Sequence, residues 1–459
     1  MIPKKARSLL AVGGGWTFFF LTAVLSASGE DLFSARRQAV LQKAGKAIVL
    51  LPSQTPTPRG TQDNKDFYYL TGLMEPDAVL LLAGEGEKKE ILFNRTGKLA
   101  VPAPGAPADI KPLTELRPYL MRAAAEKKVF LPFAGLDNLS QWLGGPGALA
   151  PAAELANAEP FFPDMRIVKS EEEIGILQKA VDITTEAYLE VLKAARPGIR
   201  EQDLNAIFAY VYQKRDASSS FTQIASGPNS VNIHFGATKR EMQAGDVIVF
   251  DLGAWSERYT SDISRTIPVS GKFSKEQAEI YNVVLNAQKE GIKLMVAGNG
   301  VQKTQTAVED ALLAGLQKLG LVTDPAGPWQ RRFHIQHGFI HGIGLDVHDV
   351  WPWFARQMRQ GLTFKPGMVL TMEPGLYFPE GRLDRYPANM KAMVSEEEWK
   401  AFVAKIGPAY KKYANMGCRI EDDILVLESG NRVLSANALK EIADIEKAMK
   451  LASPFDRLK

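Results

Sequence analysis

Two ten-residue segments far apart in the chain, AGDVIVFDLG (244–253) and PGMVLTMEPG (366–375), share one pattern. In each, a glycine opens a short apolar run, an acid follows it by six residues, and another glycine comes two residues later. Gly245, Asp251 and Gly253 thus correspond to Gly367, Glu373 and Gly375. A strand written twice in this way asks for two related halves. Side chains alternate along a strand, so Val247 and Val249 share a face with Asp251. A carboxylate turned inward among valines is costly unless it is paired, and metal coordination is one adequate compensation.

Each of these segments is followed by a second acid in a strand-like context: Asp262 in ERYTSDISRTIPV and Glu421 in CRIEDDILVL. The segment GAWSERY is short enough for a hairpin loop, which would set Asp251 and Asp262 opposite each other on neighbouring strands. The second pair requires a longer excursion, 376–418, read as an insertion with its own helix at SEEEWKAFVAKI. Four carboxylates brought together repel one another unless neutralised, and two divalent cations supply the matching charge.

Histidine supplies the remaining donor. HGFIHGIGLDVHD (337–349) holds three of the five histidines in the chain, and His334 lies just upstream. An oxygen-rich set completed by one imidazole suits Mn²⁺, Co²⁺, Fe²⁺ or Zn²⁺, and ligand chemistry does not choose among them. His337 and His341 have the i, i+4 spacing of a mononuclear zinc protease, but Gly338 stands where the HExxH motif requires glutamate. His334 is assigned no role.

The first part of the chain has no such concentration of ligands. LFSARRQAVLQKA reads as an amphipathic helix, while KAIVLLPS, DAVLLLAG, EILFN and KVFLPFAG read as strands of a compact α/β domain. LGGPGALAPAAELANAEPFFP (143–163) has the composition of a linker. Beyond it, Ser170-Glu171-Glu172-Glu173 reads as a capping box opening a long helix, and QDLNAIFAYVYQKR and KEQAEIYNVVLNAQKEGIKLM read as two more.

With 459 residues, two or three domains are expected. The net charge of +3 is matched by Lys4, Lys5 and Arg7 alone, and no extended basic block points to nucleic acid. These cations precede an apolar stretch ending in Ser26-Ala27-Ser28, the arrangement of a cleaved export signal at 1–28, with an uncleaved membrane anchor as the alternative. A periplasmic or secreted protein without stable membrane association is therefore expected. The single cysteine, Cys418, permits no intramolecular disulfide and reads as a buried apolar residue.

VIVFDLGAWSERYTSDISRTIPVSGKFS, HGIGLDVHD, LTMEPGLYF and CRIEDDILV resemble, in order, the ligand segments of the M24 pita-bread metallopeptidases, in the branch containing Xaa-Pro aminopeptidase (aminopeptidase P) and prolidase. DFYYLTGLMEPDAVLLL resembles their N-terminal domain. The resemblance implies an α+β chain: a creatinase-like α/β domain at 29–165, then a pita-bread catalytic domain at 166–459 with a pseudo-two-fold repeat. It implies that Asp251 binds one metal, that His341 and Glu373 bind the other, and that Asp262 and Glu421 bridge both.

Two divalent ions, foremost Mn²⁺, would then activate water for hydrolysis of the bond preceding a proline at position two. By the same resemblance Glu373 shuttles the proton, His348 and His337 contact the carbonyl and tetrahedral intermediate, His234 is a further site histidine, and Arg419 supports the ligands. A homodimer or homotetramer is expected. DVWPWFARQM departs from the relatives' glycine-rich run after HD, which leaves the cleft's shape and the choice between dipeptides and longer peptides open. Two alternatives, a non-catalytic peptide-binding relative and a metal-free creatine hydrolase, are disfavoured because neither needs four mutually repelling acids.

Overall fold

The computed structural model describes residues 32–57, 60–84, 89–101, 103, 105–124, 127–133 and 154–455. The expected export signal at 1–28 and residues 143–153 of the Gly/Pro/Ala-rich stretch lie outside them. The chain divides into two compact units, Met1–Pro160 and Phe161–Lys459. Among the described residues no helix is long and apolar enough to cross a membrane.

In the first unit, strands β1 (Ile48–Pro52), β4 (Val79–Ala83), β5 (Lys89–Asn94), β6 (Asp109–Pro112), β7 (Lys128–Leu131) and β8 (Glu154–Asn157) form one sheet in the order β6-β5-β4-β1-β7-β8. β2 (Gln54–Thr57) and β3 (Gly60–Asp63) form a separate hairpin. The apolar runs IVLLP and VLLLA are buried throughout, as runs without alternation should be when both faces of a sheet are covered. Every apolar run expected to be a strand in this unit is one.

β8 corrects the linker reading at 154–157. Backbone pairing with β7, Val129 opposite Leu155, needs an open sheet edge rather than apolar side chains. Helix Leu32–Ala44 forms where expected, but its stripe is not simply apolar, because Arg36 and Arg37 are buried. Arg37 Nη1 donates to the carbonyls of Leu70 (2.8 Å) and Gly105 (2.7 Å), and its Nε meets Glu90 at 2.6 Å. Arg36 donates to Tyr69 O and lies 3.9 Å over the Tyr69 ring. These partners satisfy charges that composition alone would place outside.

In the second unit, helix Glu171–Ala194 opens with the expected capping box. Ser170 Oγ accepts from Glu173 N (3.3 Å), while Glu173 Oε2 accepts from Ser170 N (2.9 Å). Helices Glu201–Lys214 and Lys275–Leu294 also form where expected, and helix Val301–Lys318 is an addition. Strand β10 (Val247–Ser256) lies between β9 (Ser218–Ser226) and β12 (Ile263–Pro268), antiparallel to both, and it turns into the short β11 (Tyr259–Thr260).

That turn corrects the expected facing of Asp251 and Asp262. Trp255 pairs with Thr260 and Ser256 with Tyr259, so only Glu257 and Arg258 form the loop, both at positive φ (48° and 73°). A two-residue turn fixes the register, and it sets Asp251 opposite Ser264. Asp262 lies two residues from Ser264, just ahead of β12, hence on the same face but one step along.

The second half of the repeat is broken where the first is continuous. β13 (Val369–Met372) pairs with β16 (Asp422–Val426), which also pairs with β17 (Asn431–Val433), while β14 (Gly375–Phe378) pairs with β15 (Met416–Arg419) in a separate ribbon. Glu373 and Glu421 therefore sit in the gaps between strands, not within them. Pro374 has no N–H with which to continue a ladder, so the chain changes sheets there. The turn glycines remain equivalent, Gly245 with φ 95° and Gly367 with φ 83°. Within the insertion, Ser395 caps the expected helix, Glu396–Tyr410.

Candidate metal centre

The carboxylates gather because three irregular points of the chain meet at β10 and β12. Glu421 N donates to Ser264 O (2.9 Å), which ties the gap after β15 to β12. Glu373 N donates to Phe339 O (3.0 Å), which ties the gap after β13 to the histidine segment. Thr371 closes the third side, donating from its N to His341 O (2.9 Å) and accepting from His341 N at Oγ1 (3.1 Å).

This clamp orients one imidazole. His341 Nδ1 lies 3.0 Å from Gly342 O, a group that can only accept, so Nδ1 carries the proton. Nε2 faces Glu373 Oε1 (3.1 Å), Asp262 Oδ2 (3.5 Å) and Glu421 Oε1 (3.9 Å). One ligand atom from each of Asp262, His341 and Glu421 lies within 4.8 Å of the other two. Asp251 joins the group through Ser264, whose Oγ lies 2.8 Å from Asp251 Oδ1 and 2.7 Å from Glu421 Oε2. A single hydroxyl hydrogen serves only one of these oxygens.

The remaining oxygens test whether cations fit. Asp262 Oδ1 and Glu421 Oε1 are buried and have no hydrogen-bond partner among the described residues. Burial, followed by the repulsion of neighbouring carboxylates, pushes both groups well above the ordinary acid range. Divalent ions answer both problems, and an imidazole held by a carbonyl through its other nitrogen is a familiar metal donor. Asp251, Asp262, His341, Glu373 and Glu421 are thus a donor set that fits the expected metals.

Glu373 behaves differently. Burial would raise its pKa, but the hydrogen bond and charge of His341, with His337 and Arg419 beyond, bring it down to about 2. Its Oε2 lies 3.6 Å from His337 Nδ1. Burial lowers the pKa of His337, and burial together with His341 lowers that of His348. The His348 ring centroid lies 4.2 Å from that of His341.

Arg419 holds the opposite wall: its Nη2 lies 2.5 Å from Asp251 Oδ2, its Nε 2.8 Å from Ser264 Oγ, and its Nη1 bonds Ile233 O (3.1 Å) and Tyr377 Oη (3.0 Å). All the residues expected from the sequence, Asp251, Asp262, His341, Glu373, Glu421, His337, His348, His234 and Arg419, line one cavity of about 400 Å³. His334 is apart from it, buried, with Nε2 3.0 Å from Leu321 O.

Four further residues shape the site. Gln223 Nε2 donates to Asp251 (2.7 Å) while its Oε1 accepts from Phe235 N (2.7 Å), beside His234. Tyr377 Oη joins His337 Nε2 (3.1 Å) to Arg419. Asp423, raised to about 8 by burial, accepts from Asp262 N at 3.0 Å. Trp351, from DVWPWFARQM, lines the cavity and is 48% exposed. Only Trp351 carried a sequence signal; the others are common residues whose meaning depends on the fold.

Comparison with known proteins gives two family matches and a set of relatives. Residues 175–428 fit the metallopeptidase family M24, and residues 33–100 fit the aminopeptidase P N-terminal domain. The chain is similar to the Xaa-Pro aminopeptidase of Haemophilus influenzae, 30% identical over 92% of this chain and 97% of that one. Among solved structures it is similar to proline aminopeptidase P II from Yersinia pestis, with TM-score 0.76 and 27% identity over 91% of this chain and 98% of that one. It is also similar to zinc-substituted Escherichia coli aminopeptidase P in complex with product, with TM-score 0.75 and 29% identity over 91% of this chain and 97% of that one. The chain belongs to metallopeptidase family M24, in its Xaa-Pro aminopeptidase branch, and is a hydrolase.

Proposed function

We propose that this protein releases the N-terminal residue from peptides with proline at position two, using two divalent ions, foremost Mn²⁺, held by Asp251, Asp262, His341, Glu373 and Glu421. The observation that carries this reading is the Nε2 of His341 aimed at three carboxylates, two of which keep buried oxygens without hydrogen bonds among the described residues. When bound, such ions lend Lewis acidity to the scissile carbonyl and make nearby water more acidic.

The protein's own groups supply the rest. Glu373, ionised at neutral pH, accepts a proton from the attacking water at Oε2 and delivers it to the leaving proline nitrogen. His348 donates a hydrogen bond toward the carbonyl as it gains charge, a role that depends on a donor fixed in advance, while His337, held by Gly338 O and Tyr377 Oη, flanks Glu373. Gln223, Tyr377 and Arg419 keep those groups in place. The cavity's apolar surface, Phe221, Ile340, Val347 and Trp351, suits a rigid ring.

The test is release of the first residue from Xaa-Pro peptides, followed by mass spectrometry with the metal-stripped protein and with Mn²⁺, Co²⁺, Zn²⁺ or Fe²⁺ restored. Cleavage confined to the Xaa-Pro bond and dependent on metal is expected, and its loss in Asp262→Asn. Absence of cleavage with all four ions overturns the proposal.

A further inference from the structure

A second cavity, of about 550 Å³, lies beside the metal centre and has the opposite character. Its wall comes from the end of helix Pro328–His334 and from residues 381–390 of the insertion. Ile233 lines both cavities, and along the histidine segment Gln336 lines this one while His337 lines the other. Arg332, Arg382 and Arg385 line it, and among the described residues no carboxylate does. Asp384, the acid nearest in sequence, is exposed and is not part of the lining.

Arg382 is the fixed member of the group. Its Nη2 donates to Phe333 O at 2.6 Å, and its guanidinium lies 4.5 Å over the Phe333 ring. Burial disfavours its charge, and the Phe333 carbonyl and ring offset that without neutralising it. A guanidinium held by a backbone carbonyl and an aromatic face presents its remaining N–H groups in a set direction, which suits a carboxylate.

The two cavities together also have a polarity. The three arginines attract a peptide's negative end and repel its ammonium, whereas the charge of the acids at the metal centre is matched by its ions. A peptide lying across both cavities is oriented by charge before any side chain is read.

We propose that the cavity lined by Arg332, Arg382 and Arg385 is a subsite for a carboxylate of the peptide, downstream of the bond that is cut. That carboxylate is either the C-terminus of a short peptide or the side chain of Asp or Glu in a longer one. The subsite rests on the proposed aminopeptidase reading, and it assigns the protein to peptides longer than Xaa-Pro dipeptides.

The experiment compares Ala-Pro-Ala peptides extended by successive alanines, each as the free acid and as the C-terminal amide. A parallel amidated series carries a single Glu or Gln at successive positions after the proline. Where the carboxylate reaches the arginines, kcat/KM should exceed that of the neutral partner by roughly fivefold to tenfold, and salt should shrink the ratio. The acid series reports the C-terminus, and the Glu series reports a side chain.

Arg385→Met and Arg332→Met alter exposed side chains, so their folding is not at issue, and together they should bring the ratio toward one; Arg385→Lys should restore part of it. Arg382→Met should act in the same direction. Ratios within about twofold at every length and position, or a preference that survives in the double variant, overturn the subsite. If even the neutral peptides are not cleaved, the aminopeptidase reading fails instead. The subsite is then decided by calorimetry with proline-headed peptides as acid and amide, where equal affinity of the unaltered protein for the two overturns it.

Discussion

Tyr377 shows how much a single hydroxyl can organise. Its Oη lies 3.1 Å from His337 Nε2 and 3.0 Å from Arg419 Nη1, so Tyr377→Phe leaves half-buried His337 and buried Arg419 each short of a partner. Neither group depends on Tyr377 for its place in the chain, so the fold and manganese affinity should change little while kcat falls roughly tenfold. An unchanged kcat on an Xaa-Pro peptide would remove Tyr377 from the positioning scheme. A second buried residue, Asp349, acts on stability instead. Its carboxylate receives Lys169 Nζ at 2.9 Å and also Arg166, and although burial would raise its pKa, those two cations hold it below the ordinary value. The folded-state value is depressed, so the contribution is fully present above the unfolded pKa of about 3.9 and is lost as pH falls through the lower folded value. Asp349→Asn leaves buried Lys169 without its counter-charge and should cost about 3–5 kcal/mol in urea unfolding at neutral pH, and the variant should lack the acid-side loss. A cost below about 1 kcal/mol would mean that water or another acid replaces Asp349. Asp251 and Glu373 were legible because the repeat displays them, whereas Asp423 was not. In the run Glu421-Asp422-Asp423 three adjacent acids look alike, and only the strand β16 that begins at Asp422 turns Asp423 toward Asp262 and Asp422 toward Arg265.

At the scale of elements, the repeat predicted two similar strands, and their openings are indeed similar. Gly245 and Gly367 both take the left-handed conformation that admits the chain to β10 and β13. Their surroundings differ: a Cβ at Gly245 meets nothing within 4 Å, while one at Gly367 would come 2.9 Å from Val168 Cγ1 and 3.2 Å from Lys169 O. Gly245→Ala should therefore cost only backbone strain, about 1–2 kcal/mol, and Gly367→Ala that amount plus displacement of the segment bearing Lys169. Equal midpoint shifts for the two variants in denaturant would show that the segment at 168–169 yields freely. Divergence after those openings is what the sequence concealed. Both halves present an acid six residues after the glycine, but Leu252 lets β10 continue and Pro374 forces the chain out of β13. The expected opposition of Asp251 and Asp262 failed for a related reason, because GAWSERY contributes most of its residues to strands and only Glu257 and Arg258 to the turn. Alternation gave the face of Asp251 correctly, and the turn decided its register.

For the whole molecule, the division at Pro160–Phe161 separates a unit with a large apolar sheet from one that carries the acid cluster. The sequence foretold this asymmetry, since ligand residues cluster only after 234, but not that 154–157 would belong to the first sheet. Metal should consequently stabilise the two units unequally. An ion present at a hundred times its Kd stabilises the state that binds it by about 2.7 kcal/mol. Within the second unit that state joins β10, β12 and the gaps after β13 and β15, so opening any of them must release the ion. Hydrogen exchange with and without Mn²⁺ should show slowed amides in β10, β12, β13 and β16. The amides of β1 and β4 should keep their rates, because among the described residues the first unit holds no such donor group. Equal slowing in β1 and β4 would mean that the two units open as one cooperative body. Slowing in neither unit, at a manganese concentration that supports hydrolysis, would instead mean that the ion binds without restraining these strands. A chain whose metal closes four separated segments on one imidazole cannot behave that way, so this outcome would count against the ligand set itself.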